Sequence, residues 1–214
     1  MDREVQIDTF SRFAQVSRET IISLKKYEIE LTKANKDLNL IGNSTLNYIW
    51  TRHFMDSFQV IDFIDKNEKT LIDIGSGAGF PGLVLAIAAK DRKIPLKIKL
   101  IEKSKKKVNF LKKIISILNL NVEVLNQNVF EMQKNLTAEV FVARAFKPLK
   151  VILELIHKKV LNSKKFFVFL GKTAQNELLE ASKNWDIQYK QRKSVTSSDS
   201  LIVEISGIEK KKIE

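Results

Sequence analysis

From Asp73 to Gly82 the chain reads DIGSGAGFPG, which puts four of its seven glycines into eight positions directly behind an apolar run. Glycine lets a backbone lie close to a ligand and take positive φ, so a turn of this kind at a strand end is built to grip something. It is not a phosphate loop for nucleoside triphosphates, which closes on Gly-Lys-Ser/Thr; this one closes on Gly79-Phe80-Pro81-Gly82. Gly77, Gly79 and Gly82 match the dinucleotide spacing, but the glycines start too early for that fold's turn. Asp73-x-Gly75-x-Gly77-x-Gly79 describes the stretch better. An acid beside the turn repels a pyrophosphate and suits a ligand that carries positive charge. Glu102 ends the next apolar run, at the distance where a carboxylate accepts from both hydroxyls of a ribose.

Other residues invite chemistry less sharply. His53 has no second histidine or cysteine near it, which argues against a metal site. Arg52 and Asp56 lie four apart, as a surface ion pair on one helix face would. Arg144 closes a strand at the edge where open α/β sheets bind ligands. Lys103, Lys105, Lys106 and Lys107 begin a helix, where cations oppose the macrodipole, so the cluster points to phosphate binding.

The elements that must hold these residues follow from periodicity. Leu24, Tyr27, Leu31, Ala34 and Leu38 recur at helical spacing behind Ser17, an N-cap candidate with Glu19 in the first turn, and a second helix is expected from about Leu46 to Ile64. From residue 70 the texture alternates. TLIDIG, LKIKLIE, VEVLNQ, EVFVARA, KFFVFLG, IQYKQRKSV and DSLIVEISG read as strands, with helices among the first five starting near Pro81, Ser104 and Pro148. Only TSSD separates the last two strands, which predicts an antiparallel C-terminal hairpin on a mainly parallel seven-stranded α/β sheet. Residues 1–66 are expected to form a helical extension, 67–208 the Rossmann-like domain and 209–214 a frayed basic tail.

The glycine turn with its acid resembles motif I of the S-adenosylmethionine-dependent methyltransferases. LNLIG, RHFMDS, LIDIGSGAGFPGLVLAI, LIEKSKKKVNFLKKI and VARAF, in this order, resemble the RsmG/GidB family, bacterial methyltransferases of guanine N7 in small-subunit (16S) ribosomal RNA; the likeness runs from about Val16 to Ile205. The resemblance implies that Gly75, Phe80, Val129, Phe130 and Arg144 contact S-adenosylmethionine, with Asp73, Gly77, Gly79 and Glu102 completing the pocket by motif. It implies in-line positioning with no residue acting as a base, Arg144 and His53 being the candidates for any catalytic part. Asn39, Arg52, His53, Lys103, Lys105, Lys106 and Lys172 are the RNA-binding candidates. The chain departs from the family pattern in having Ala34-Asn35 for Trp-Asn and Ser200 for a common arginine, and in reading Leu170-Gly171-Lys172 after the fifth strand.

Composition bounds the reading. A chain of 214 residues with 44% hydrophobic content supports one sizeable core, and its formal charge of +12 favours a polyanionic partner. No cysteine is present, which excludes disulfides, thiolate metal sites and the cysteine nucleophile used on cytosine C5. Where amine methylases carry an Asn/Asp-Pro-Pro-aromatic loop, this chain has ARAFKPL. The partner that the resemblance implies is 16S rRNA or a small-subunit particle, and the chain is expected to bind no metal and no membrane, as a cytoplasmic monomer. The alternatives are a methyltransferase of a small molecule or protein, and a non-catalytic RNA-binding Rossmann protein.

Overall fold

The computed structural model describes residues 2–212. Helices α1 (Arg3–Ala14) and α2 (Arg18–Leu38) open the chain, followed by an irregular helical segment and then nine strands interleaved with helices. The strands are β1 (Thr70–Ile74), β2 (Lys97–Glu102), β3 (Val122–Asn126), β4 (Leu136–Thr137), β5 (Val140–Arg144), β6 (Val160–Leu161), β7 (Lys165–Leu170), β8 (Trp185–Ser194) and β9 (Ser197–Lys210). Seven of them form one sheet in the order β3-β2-β1-β5-β7-β9-β8, and β4 and β6 make a separate short parallel pair. All pairings from β3 to β7 are parallel, while β9 runs antiparallel to both β7 and β8.

The order reverses at β1. The chain steps outward from β1 to β2 and β3, then returns to lay β5 on the other side of β1. Between the carboxyl ends of β1 and β5 lies the crevice in which open α/β sheets bind ligands. The glycine turn follows β1 and Arg144 ends β5, so both face that crevice.

The irregular helical segment is labelled only where it is α-helical: α3 is Asp56–Phe58, between a π-helix at Trp50–Met55 and a 3-10 turn at Gln59–Phe63. The remaining helices are α4 (Gly82–Asp91), α5 (Lys105–Leu118), α6 (Leu149–Lys159) and α7 (Ala174–Ser182). One face of the sheet packs on α4, α5 and the N-terminal helices, whose Phe10, Leu24, Tyr27, Trp50 and Phe54 join Leu83, Leu111 and Phe167 in one cluster. The other face packs on α6 and α7 through Leu149, Leu153 and Leu178. Helix α5 shows why its sequence folds this way: Val108, Leu111, Ile114 and Leu118 recur every three or four residues on the buried side, leaving the lysines outside.

Ser17 caps α2 as expected, its hydroxyl accepting from Thr20 N at 3.3 Å. Several expectations change. The helix foreseen over 46–64 is broken into 3-10, π and short α pieces, which turns Arg52, His53 and Asp56 toward the sheet edge. Helix α7 has no counterpart among the expected elements. The hairpin turn is Val195-Thr196, with Ser194 opposite Ser197, because β9 takes up the serines expected in the turn. Strand β9 also reaches Lys210, so Glu209 and Lys210 are paired with β8 where a frayed tail was expected. Of that tail, Ile213 and Glu214 lie outside the described residues.

Candidate active site

A cavity of about 620 Å³ opens at the crevice between β1 and β5. Gly75, Ser76, Gly77 and Phe80 form its floor from the glycine turn, Glu102 and Lys103 come from the end of β2, and Val129 and Phe130 follow β3. Arg144, Phe146 and Lys147 follow β5, and the N-terminal segment adds His53 and the loop Leu40-Ile41-Gly42.

The turn is held by main-chain bonds: Gly75 N and Ser76 N both donate to Ile101 O, at 2.9 and 3.1 Å. Its glycines have different duties. Gly77 has φ +56°, and a Cβ there would meet no atom closer than Gly75 O at 3.8 Å, so its bare backbone faces open cavity. Gly75 yields to the Phe146 ring. Gly79, at φ +100°, does not line the cavity; it makes room for the Tyr27 hydroxyl and Leu83, and Tyr27 in turn donates to Ala78 O at 2.5 Å.

Asp73 is likewise beneath the cavity and not in its wall. Fully buried, it accepts from Gly82 N at 2.9 Å through Oδ2, while Oδ1 has no partner. Burial pushes its carboxyl up to about 7. Asp73 and Gly79, expected to complete the pocket by motif, stand outside its wall and shape the turn from below. The acid closes the N-terminus of α4, and the glycine admits α2.

Glu102 stands where a ligand can use it. Its Oε2 accepts from Gly77 N at 3.0 Å and its Oε1 from Ser104 N at 2.8 Å, which fixes the carboxylate and leaves each oxygen a free acceptor site toward the cavity it lines. Val129 is buried, whereas Phe130 is 40% exposed and stacks on Phe146 with centroids 5.8 Å apart. These features suit an adenosyl group: a fixed carboxylate for ribose hydroxyls, an apolar aromatic wall, and open glycine backbone.

At the other end Phe80 is stacked on His53 at 5.0 Å and on Tyr27 at 5.6 Å. The Arg144 guanidinium lies 5.8 Å from the Phe80 ring centre. Arg144 Nε pairs with Asp56 Oδ2 at 3.2 Å, and its Nη2 donates to Arg52 O at 2.6 Å. Asp56 Oδ1 accepts from Ser194 Oγ at 2.6 Å and from Gln59 Nε2 at 3.0 Å, which straps the β8–β9 turn to the same carboxylate. The expected Arg52–Asp56 pair is therefore corrected. The π-helical turn directs Asp56 to Arg144, and the exposed Arg52 side chain makes no ion pair among the described residues. Arg144 and Ala145 also line a smaller cavity of about 190 Å³, whose far side carries Arg52, Ser194, Thr196 and Ser200.

His53 is neutral. Burial, reinforced by Arg144 and Arg52, pulls its imidazole down to about 3. No group of three or more metal-ligating residues occurs among the described residues. Of the RNA-binding candidates, His53 and Lys103 line the large cavity and Arg52 the small one. Asn39 is the exposed C-cap of α2, beside the Leu40–Gly42 loop. Lys105 and Lys106 are exposed on the first turn of α5, and Lys172 is exposed just past β7, all outside the large cavity. Sequence reasoning named Lys107 only within the basic cluster that points to phosphate binding, and missed Lys147 as a wall residue and Asp56 as the anchor of Arg144; RHFMDS and VARAF contained both halves of that pair without showing that they meet.

A family model described as GidB, rRNA small subunit methyltransferase G, matches residues 20–203. The ribosomal RNA small subunit methyltransferase G of Pelagibacter ubique (strain HTCC1062) is 41% identical over 198 residues, covering 92% of each chain. The protein of the same name from Rickettsia felis is 36% identical over 196 residues, covering 92% of this chain and 98% of its own. Among solved structures, a SAM-dependent methyltransferase from Aquifex aeolicus superposes with a TM-score of 0.55 at 18% identity, over 82% of this chain and 97% of that one, a likeness of fold.

Proposed function

The chain belongs to the GidB family of small-subunit rRNA methyltransferases, and from that membership we propose that it methylates N7 of one guanine in 16S ribosomal RNA with S-adenosylmethionine as donor. The observation that carries the reading is the meeting, in one cavity, of the open Gly77 backbone, the fixed Glu102 carboxylate and the His53–Phe80–Arg144 cluster. Lys103, Lys107 and Lys147 line the same cavity without an ion pair among the described residues, and Arg52 stands beside it, so a polyanion is favoured at its mouth.

Bound S-adenosylmethionine supplies an electrophilic methyl group on a sulfonium. Glu102, Val129 and Phe130 would hold its adenosyl half and Gly75 and Gly77 would lie against the rest. Guanine N7 carries an in-plane lone pair and needs no base to make it nucleophilic, so the protein has only to align the base and exclude water, which is worth several kcal/mol of barrier. Neutral His53 suits that role, because the positive charge passes from sulfur to the base during transfer and a protonated imidazole would oppose it. Arg144 has its charge matched by Asp56.

Leu40, Ile41, Gly42 and His53 of the N-terminal extension complete the cavity wall, and the extension presents Asn39 and Arg52, while the Rossmann-like domain, 67–208, would hold the cofactor. No helix of the described residues is long and apolar enough to cross a membrane, and the reading puts the protein with ribosomes in the cytoplasm. Mapping of modified guanines in 16S rRNA from cells with and without the gene tests the proposal. One 7-methylguanine should vanish with the gene; an unchanged map contradicts it.

A further inference from the structure

The two halves of the glycine turn are anchored to different parts of the molecule. Gly75 N, Ser76 N and Gly77 N all donate to β2, the first two to Ile101 O and the third to Glu102 Oε2 at 3.0 Å. Ala78 has no such tie. Its carbonyl accepts from the Tyr27 hydroxyl at 2.5 Å and has no other partner among the described residues. The bond that follows, from Gly79 N to Ser76 O at 2.7 Å, is internal to the turn. Ala78 stands between glycines at φ +56° and +100°, which lack the Cβ that would confine the backbone, so this half of the turn is soft unless something outside holds it.

Tyr27 can hold it because Tyr27 itself cannot move. It sits on α2, fully buried, with its ring against Phe54 of the π-helix at 5.4 Å, Phe80 at 5.6 Å and Phe110 of α5 at 6.5 Å. The fit is mutual: a Cβ on Gly79 would come within 2.5 Å of the hydroxyl. Tyr27 does not line the large cavity, whereas Ala78 and Phe80, the residues it holds, do. Resting on the reading that S-adenosylmethionine lies against this turn, we propose that Tyr27 is a positioning residue for the cofactor. Its hydroxyl keeps the Ala78–Gly79 half of the turn in the shape that accepts the donor, so the N-terminal helices set S-adenosylmethionine affinity without touching it. With the hydroxyl gone, only a fraction of molecules would carry the competent turn, and the apparent dissociation constant rises by the inverse of that fraction. Once the donor is bound it holds the turn itself, and transfer proceeds at its normal rate.

The test compares full-length wild type, Tyr27→Phe and Leu24→Val. Tyr27→Phe keeps the ring packing and removes one hydroxyl; Leu24→Val trims another fully buried side chain of α2, one turn earlier. In Tyr27→Phe, S-adenosylmethionine affinity by calorimetry should fall about fivefold or more and KM for the donor should rise in step, with kcat on a 16S fragment within about twofold of wild type. Leu24→Val should lower the melting temperature comparably and leave affinity unchanged. Wild-type affinity in Tyr27→Phe overturns the proposal. So does an equal loss of affinity in Leu24→Val, which would show general loosening, and so does a fall in kcat at unchanged KM, which would place the hydroxyl's effect in the chemistry. If wild type itself binds no S-adenosylmethionine, the reading of the cavity fails before any variant is compared.

Discussion

Two glycines two residues apart do separable things. At Gly77 an added side chain would enter open cavity, and at Gly79 it would strike the Tyr27 hydroxyl and Leu83. Gly77→Val should fold and bind no S-adenosylmethionine, read by calorimetry alongside a melting curve, whereas Gly79→Ala should lose about 1–3 kcal/mol of stability through strain and overpacking. Normal binding by folded Gly77→Val would mean the turn faces no ligand. The buried acid below them makes a prediction in pH. Asp73 titrates at 3.8 when unfolded and about 7 when folded, so its contribution to stability is greatest below 3.8 and is lost as pH rises to 7, by at most about 1.4 kcal/mol per unit. His53, lowered from 6.5 to about 3, does the reverse: its contribution is present above 6.5 and is lost as pH falls toward 3. From about pH 4 to 6.5 the two oppose each other. Asp73→Asn keeps an acceptor for Gly82 N and removes one of them, so its stability relative to wild type should climb from about pH 4 to 7 and then level off. Denaturant titrations showing a constant difference across that range would contradict the raised pKa.

At the scale of elements, the Asp56 carboxylate joins three pieces of chain distant in sequence: its own π-to-α segment, the end of β5 through Arg144, and the β8–β9 turn through Ser194. The ion pair is largely buried, with side chains 16% and 11% exposed. Asp56→Ala should therefore cost about 3–5 kcal/mol in chemical unfolding, because it strands a buried guanidinium; a loss below about 1 kcal/mol would show that the strap holds nothing. This junction also marks how far the sequence could be read. Short apolar runs located the parallel strands, β1 and β7 being closed by Gly75 and Gly171, and helical spacing located α2 and α5, because those patterns are local. Helix α7 is short and follows β7 after only Gly171-Lys172-Thr173, so little local patterning separated it from loop. Asp56 looked like the partner of Arg52, four residues away; the π-helical turn and the return of β5 beside β1 decide otherwise, and neither is written in spacing. Asp73 and Gly79 were legible as motif residues but not as packing residues, since the motif does not say which side of the turn each one faces.

The whole molecule carries a charge of +12, and Lys103, Lys107 and Lys147, which make no ion pair among the described residues, cluster where the cavity opens. Affinity for a 16S fragment should fall steeply with salt while S-adenosylmethionine affinity barely moves. Replacing Lys103 and Lys107 by alanine should flatten the log–log salt slope by about 0.7 for each single-strand phosphate that is no longer neutralised; an unchanged slope would put the RNA elsewhere on the surface. On the proposed reading the target base reaches the cavity from a single strand, a loop or a displaced position in its stack, and its N7 lone pair attacks. The most direct test replaces the target guanine by 7-deazaguanine, which removes that lone pair and keeps the Watson–Crick edge. The fragment should bind with nearly its normal affinity and accept no labelled methyl group. Label appearing on the 7-deaza base would mean that another atom is the acceptor, and would contradict the N7 assignment.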